Sequence, residues 1–583
     1  MANRESSLEE KLERISNKDA EAVLLHDYDR AQLQLTTENE FLDENFHSIA
    51  KSKKSWNSYS DLNPRWTVAR ATRSLLPFSK RLLLFLLPSF IYPWRLPASP
   101  NPPHSTAYLD GLRGIAALIV VASHYVAQFA PALYEGYGSG AEVNAKENIY
   151  ILQLPILRIL SSGQFMVVLF FIMSGCVLSI RGLSLARSGK HAEFVKTLAS
   201  SVFRRWVRLH FPVIAAMFIS MIISRANGWT RLPRGWLNPP PQTQIAERST
   251  IQKAITTFTM AVHEPNLVVR ENVKKPVRLD WYFNMAPRMK TLPEQLQHWI
   301  ISVNDVCNPF RFGVIVGNPG PYNAGGILWT IPGEWLGSMV VFLVLFGVAW
   351  TTPNIRFLSI LIITVYCHIM SKWEIASFLS GMLIAELMLT RDAKQKRKTT
   401  TSCVPRMSQM DEEAQIPHHR KQTLDLLWII FFVTGIYLGS VPYISPASSF
   451  GYQTLWHSIP TWYEPKNKFY PCLGSLFILV SLTYYRPLQL IFSTSFMRYL
   501  GRISFSLYLL HGQILTSIGI PIMTTCMKFV GGGHTCSGYL MGLFLGLLIL
   551  TPITVCVSDL FCRAVDEQSV ELAKRLAEKV LVF

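Results

Sequence analysis

Charge is scarce in this 583-residue chain: 16% of its residues are charged, against 49% that are hydrophobic. With a positive mean hydropathy, that scarcity excludes an ordinary soluble globule and points to a polytopic membrane protein. Metal-ligand spacing is missing as well. The nine cysteines form no C-x-x-C pair, so neither a zinc site nor a thioredoxin-like site is read from them. Cys526 and Cys536 share one short loop and become disulfide candidates if that loop is lumenal. Residues 1–79 hold no apolar core of a cleavable signal, so the first span is expected to serve as the signal anchor. No internal repeat is visible, which counts against the inverted-repeat plan of many secondary transporters.

The chain does have a formal net charge of +18. Its Lys and Arg form no single patch but sit beside the ends of apolar runs, which is a topology signal and excludes nucleic acid as the partner. Residues 1–79 read as a polar, mobile cytosolic tail, with a helix-like piece at "SSLEEKLERI" where Ser6 and Glu9 have capping-box spacing. The Pro-interrupted stretch 80–104 reads as an interfacial or re-entrant segment. Ten spans follow within 105–561, near 107–131, 163–182, 209–224, 327–350, 354–371, 374–390, 424–441, 469–485, 502–523 and 538–561. Basic connections alternate with neutral or acidic ones, which places both termini in the cytosol. The connection 225–326 faces the lumen or exterior and is expected to cap the bundle. Residues 391–423 read as a disordered cytosolic linker. Residues 562–583 read as an amphipathic cytosolic helix with Val565, Ser569, Leu572, Leu576 and Val580 near one face. The expected fold is all-α: one bundle of about ten transmembrane helices.

Ionisable groups inside spans are costly, and they mark where chemistry is sought. Arg113 and His124 lie eleven residues apart, which returns to nearly the same helical face and separates them by roughly 16 Å along the axis. Asp110, one turn before Arg113, shares that face. The competing reading is a snorkelling arginine and a histidine bonded to a carbonyl. Arg205 and Arg208 in "SVFRRWVRLHFP" are spaced to grip a phosphate, or else simply anchor the cytosolic end of the third span. Glu334 in "LWTIPGEWLGS" lies about a third of the way into span four, at a depth expected to match His124. In "FFIMSGCVLS", Ser174-Gly175 permits either close helix packing or backbone access to a ligand. "GRISFSLYLLHG" puts Ser504, Tyr508 and His511 on span nine, with His511 either structural or a lining of the same cavity. Together these suggest a tunnel with arginines at its cytosolic mouth and a histidine and a carboxylate further in. A donor with a charged head and a long thin arm, such as acyl-CoA, fits that shape.

The motif "LDGLRGIAALIVVASH", with Arg113 and His124 in R-x10-H spacing, resembles the first-span signature of the acyltransferase-3 family of integral membrane proteins. "FFIMSG", "RRWVRLHFP", "LWTIPGEWLGS" and "GRISFSLYLLHG" resemble its later motifs in the same order, in the phrasing of its fungal branch, over residues 105–560. The resemblance implies an enzyme that transfers an acyl group, commonly acetyl, from acyl-CoA to a hydroxyl. The acceptor would be a small natural product such as a terpenoid or polyketide alcohol, or alternatively a cell-surface glycan or lipid. It implies acyl-CoA as co-substrate, with no bound cofactor or metal, in the endoplasmic reticulum or another endomembrane. Carried over by position, His124 would be catalytic, Arg113 a donor or active-site contact, Arg205 and Arg208 the R-x-x-R donor contact, and Glu334 the acid of the fourth-span motif. Gly333 departs from the pattern, since valine is the more usual residue there. A proton-coupled transporter using Arg113, His124 and Glu334 as a relay is the competing reading of another class.

Overall fold

The computed structural model describes residues 88–91, 106–127, 129, 131–139, 150–229, 286–308, 327–402, 418–530 and 536–581. All of these belong to the second of the two units into which the chain divides, Pro88–Phe583. The helix-like piece expected near residue 6 lies outside the described residues.

Each of the ten expected spans falls on a helix. In chain order these are α1 (Ala107–Ala127), α2 (Gly163–Arg187) and α3 (His191–Arg225). After α4 (Leu292–Cys307) come α5 (Thr330–Val348), α6 (Pro353–Ile369), α7 (Trp373–Ser402) and α8 (His418–Gly439). The set closes with α9 (Phe469–Tyr484), α10 (Arg486–Phe492), α11 (Ser495–Ile514), α12 (Ile520–Phe529), α13 (Cys536–Phe561) and α14 (Glu567–Val580). Eight helices among the described residues are long and apolar enough to cross a membrane, and nine if α9 and α10, bent by 107°, count as one span. The remaining expected span, the fifth in chain order, is α6, which at 17 residues is a shorter apolar helix. Among the described residues the only β pairing is one isolated bridge between Glu135 and Ile444. The protein is a multi-pass, all-α membrane protein.

Several boundaries move, and each for a local reason. The third span begins at His191, not 209, because nothing in 191–208 breaks a helix; α3 therefore carries Arg204, Arg205 and Arg208 on helical turns rather than on a loop. The stretch expected to be a disordered linker is helical at both ends, α7 running on to Ser402 and α8 starting at His418, as Lys and Arg are good helix formers. Within 225–326, α4 opens on Thr291, whose hydroxyl and Glu294 form a reciprocal capping box, and it packs on α3. The last helix continues from α13 through a π-type turn at Cys562–Asp566. Its packed face is Ser569, Ala573 and Ala577, set against α3, while Leu572 and Val580 are exposed. Small residues at i, i+4 and i+8 let α14 approach closely, so the larger apolar side chains are the ones left outside. Residues 88–91 are tied to α13: the Ser89 amide and hydroxyl both donate to the Asp559 carboxylate, at 3.0 and 2.5 Å. Cys526 is a free buried thiol, and the Cys536 side chain lies outside the described residues.

Two glycine seams position the site. Where α1 crosses α11, a Cβ on Gly114 would strike the backbone of Leu500 and Gly501, and one on Gly501 would strike that of Asp110. Where α2 crosses α7, Gly175 faces the Phe378 backbone and Gly381 faces Ile172 and Cys176. Without lipid-excluding hydrophobic force between helices, such close approach is what van der Waals packing requires. The packing reading of Ser174-Gly175 therefore holds for the glycine, while the serine points elsewhere.

Candidate active site

The seams bring α1, α2, α3, α5 and α11 around a cavity of about 490 Å³, within the usual range for ligand sites. Five guanidinium groups line it, from Arg113, Arg205, Arg208, Arg498 and Arg502, against three carboxylates, Asp110, Glu334 and Asp566. Arg205 is fixed on two sides by α5. Its Nη2 donates to Glu334 Oε1 at 2.5 Å and its Nε donates to Ser338 Oγ at 2.9 Å, while Ser174 Oγ donates to the same Glu334 oxygen at 2.8 Å. Arg502 is held by Glu567 at 2.6 Å, and Arg113 stands 4.0 Å from Asp110. Arg208 and Arg498 have no ion pair among the described residues, although both face the cavity. Two guanidiniums without an ion pair among the described residues, beside three paired ones, form a wall that suits an anion, since the planar fork matches phosphate oxygens.

His124 does not line that cavity. It faces a second, much smaller one of about 30 Å³, together with Ser123, Gln164, Ile327, Trp329 and others. Val167 and Tyr508 line both cavities and so form the partition between them. The Tyr508 hydroxyl donates to the Ile327 carbonyl at 2.5 Å and lies 2.7 Å from Thr330 Oγ1, which pins the ring in the dividing wall.

The partners of His124 assign its tautomer. Nδ1 is 2.9 Å from the Val120 carbonyl and 3.2 Å from His511 Nε2. A carbonyl only accepts, so Nδ1 carries the proton. His511 Nδ1 lies 3.2 Å from the Leu507 carbonyl, so that nitrogen too is protonated and His511 Nε2 accepts from His124. In the neutral pair the lone pair of His124 therefore sits on Nε2. His511, fully buried, lines neither cavity described here and orients His124 from behind. The reading of His124 as a histidine bonded to a neighbouring carbonyl holds, and that bond fixes the orientation of the ring in the small cavity.

Glu334 is one correction to the depth expected from sequence. It belongs to the arginine cavity, where it bonds to Arg205 and Ser174, and the residues of its segment that reach the histidine cavity are Ile327 and Trp329. The difference is a single helical turn, about 5.4 Å, which counting from a span's end does not resolve. Gly333 leaves α5 unbroken, and a Cβ there would meet only the Phe171 ring at ordinary contact distance. In the sequence Arg498 and Arg502 count only toward the basic connection before span nine; their i, i+4 spacing with the next turns at Phe505 and Tyr508 is the signal that they share a face. Gln164 gave no signal of its own.

Comparison with known proteins adds to this geometry. The acyltransferase-3 family model, described as an acyltransferase domain, matches residues 106–563. The chain is 27% identical over 491 residues to O-acetyltransferase PaAT-1 of Phomopsis amygdali, covering 82% of this chain and 86% of that one. It is 22% identical over 524 residues to acyltransferase R4 of a Phoma species, covering 81% and 99%. A third relative, acyltransferase clz18 of Cochliobolus lunatus, is 22% identical over 519 residues, covering 79% and 97%. No solved structure matches the chain.

Proposed function

Because the chain belongs to the acyltransferase-3 family, whose model spans residues 106–563, we propose that it is an O-acyltransferase. It moves an acetyl group from acetyl-CoA to a hydroxyl of a small natural product, of the terpenoid or polyketide alcohol class. The observation that carries this reading is the pair of cavities sharing one wall: an arginine-lined chamber beside a narrow one that holds a histidine with its lone pair on Nε2. The name of one relative, an O-acetyltransferase, supports acetyl as the group and oxygen as its acceptor atom. In this reading the arginine chamber opens to the cytosol, and the membrane is that of the endoplasmic reticulum or a related compartment.

Arg208, Arg498 and Arg113 hold the phosphates of the donor, and the Arg205–Glu334 pair stiffens that wall. The pantetheine arm passes Tyr508 and Val167, so the thioester reaches His124, roughly 16 Å along α1 from Arg113. That length also removes Arg113 from the reacting carbonyl. His124 Nε2 takes the proton of the acceptor hydroxyl as its oxygen attacks the thioester carbon. His511 accepts from Nδ1 and stabilises the imidazolium that forms. The tetrahedral intermediate collapses, the C–S bond breaks, and the CoA sulfur leaves with the proton from His124. The products are the ester and free CoA.

The test is to incubate membranes holding the full chain with labelled acetyl-CoA and an extract of small-molecule alcohols, and to identify the labelled product. An acetyl ester formed by wild type and absent with His124→Ala is the expected result. Labelled product at the wild-type rate from His124→Ala would overturn the mechanism.

A further inference from the structure

The small cavity holds a second polar group whose orientation is fixed from outside. Gln164 lines it beside His124. Its Oε1 accepts from Lys468 Nζ at 2.5 Å, and because an ammonium only donates, the amide cannot turn the other way round. Its NH2 is thus the end not facing Lys468, and among the described residues that nitrogen has no hydrogen-bond partner. Lys468 is itself locked. It is 5% exposed and stands over two indole faces, 4.8 Å from the centroid of Trp373 and 5.5 Å from that of Trp329. Burying a lysine is costly, and here its one hydrogen bond to a side chain among the described residues is spent on setting this amide.

Size turns placement into chemistry. A cavity of about 30 Å³ holds roughly one functional group, so in this reading the thioester carbonyl enters it and the acceptor hydroxyl meets His124 at its edge. Any group that enters it therefore meets both His124 and the Gln164 amide. Resting on the acyltransferase reading above, we propose that Gln164 is a catalytic residue whose Nε2–H donates to the thioester carbonyl oxygen as it becomes an oxyanion, and that Lys468 is the positioning residue that presents it. His124 handles the proton and Gln164 handles the charge. As the acceptor oxygen bonds to carbon, the carbonyl electron pair moves to oxygen and is held by the amide; on collapse it returns as the C–S bond breaks. A preformed neutral donor is well suited to this, because it gains strength as negative charge develops.

The experiment uses the solubilised full chain and two donor analogues: CoA itself, and the dethia analogue of acetyl-CoA that carries a carboxylate where the thioester carbonyl sits. Wild type is expected to bind the carboxylate analogue at least about tenfold more tightly than CoA. Gln164→Met should erase that preference while CoA affinity stays within about twofold, and should cut acetyl transfer about 10²- to 10³-fold, the usual effect of removing one such donor. Lys468→Met should weaken the preference in part, and Lys468→Arg should restore it. An unchanged preference in Gln164→Met, or none in wild type that binds CoA well, overturns the role of Gln164 alone. Wild type that binds neither analogue overturns the donor reading beneath it.

Discussion

The two cavities differ in what their walls can do to a ligand. The larger holds about 490 Å³ and has more guanidiniums than carboxylates, two of them without an ion pair among the described residues. The smaller holds about 30 Å³ and presents an imidazole and an amide, with no arginine or carboxylate among its lining residues. The wall of the first suits a polyanion and that of the second a single neutral group. In the function proposed above, their separation by Tyr508 and Val167 lets binding energy gained on remote phosphates be used at the thioester, with the guanidiniums kept away from the proton transfer.

The division of labour can be broken at either end. His124→Ala should give the largest effect, a loss of turnover of about 10³-fold or more with donor affinity kept, measured as acetyl ester formed at saturating acetyl-CoA. Arg208→Ala should come next. It should raise the donor KM about 10- to 100-fold with a smaller change in kcat, the size of a lost guanidinium–phosphate bond. The same variant should also show a weaker dependence of KM on salt than wild type.

Damage to the seam shared by both cavities should look different. Gly501→Ala would push a methyl into the Asp110 backbone and is expected to cost about 1–3 kcal/mol of stability, read as a lower midpoint of thermal unfolding in detergent. Activity per folded molecule should fall in both KM and kcat. The smallest effect belongs to the wall itself. Tyr508→Phe keeps the ring and loses its bonds to Ile327 and Thr330, for about 1 kcal/mol and a few-fold drop in turnover. A large effect from this variant would mean that the hydroxyl takes part in the chemistry.

Much of the fold was legible because spans are read from apolar length, and each of the ten expected segments is a helix. What composition could not fix was where helices stop in water, as α3 and α7 show, since polar residues of good helix propensity continue a span without any apolar signal. The site was half legible. Arg113, Arg205, Arg208 and Glu334 stand out as charges where charge is costly, and they do converge on one cavity. The separation of His124 from them was not readable, because it depends on a tyrosine wall made by a helix nearly four hundred residues away in sequence. Nor was the His124–His511 pair, which rests on the glycine seam between α1 and α11. Gln164 and Lys468 are ordinary residues in sequence, and only the bond between them, made across 304 residues, gives them meaning.

The most direct test compares two variants by two readouts: equilibrium binding of acetyl-CoA and turnover at saturating donor. Opposite failures are expected, with His124→Ala binding acetyl-CoA within about twofold of wild type while losing turnover, and Arg208→Ala binding at least about tenfold more weakly while keeping most of its turnover. If instead His124→Ala loses donor affinity as severely as Arg208→Ala does, the two cavities are one site and the division proposed between them is wrong.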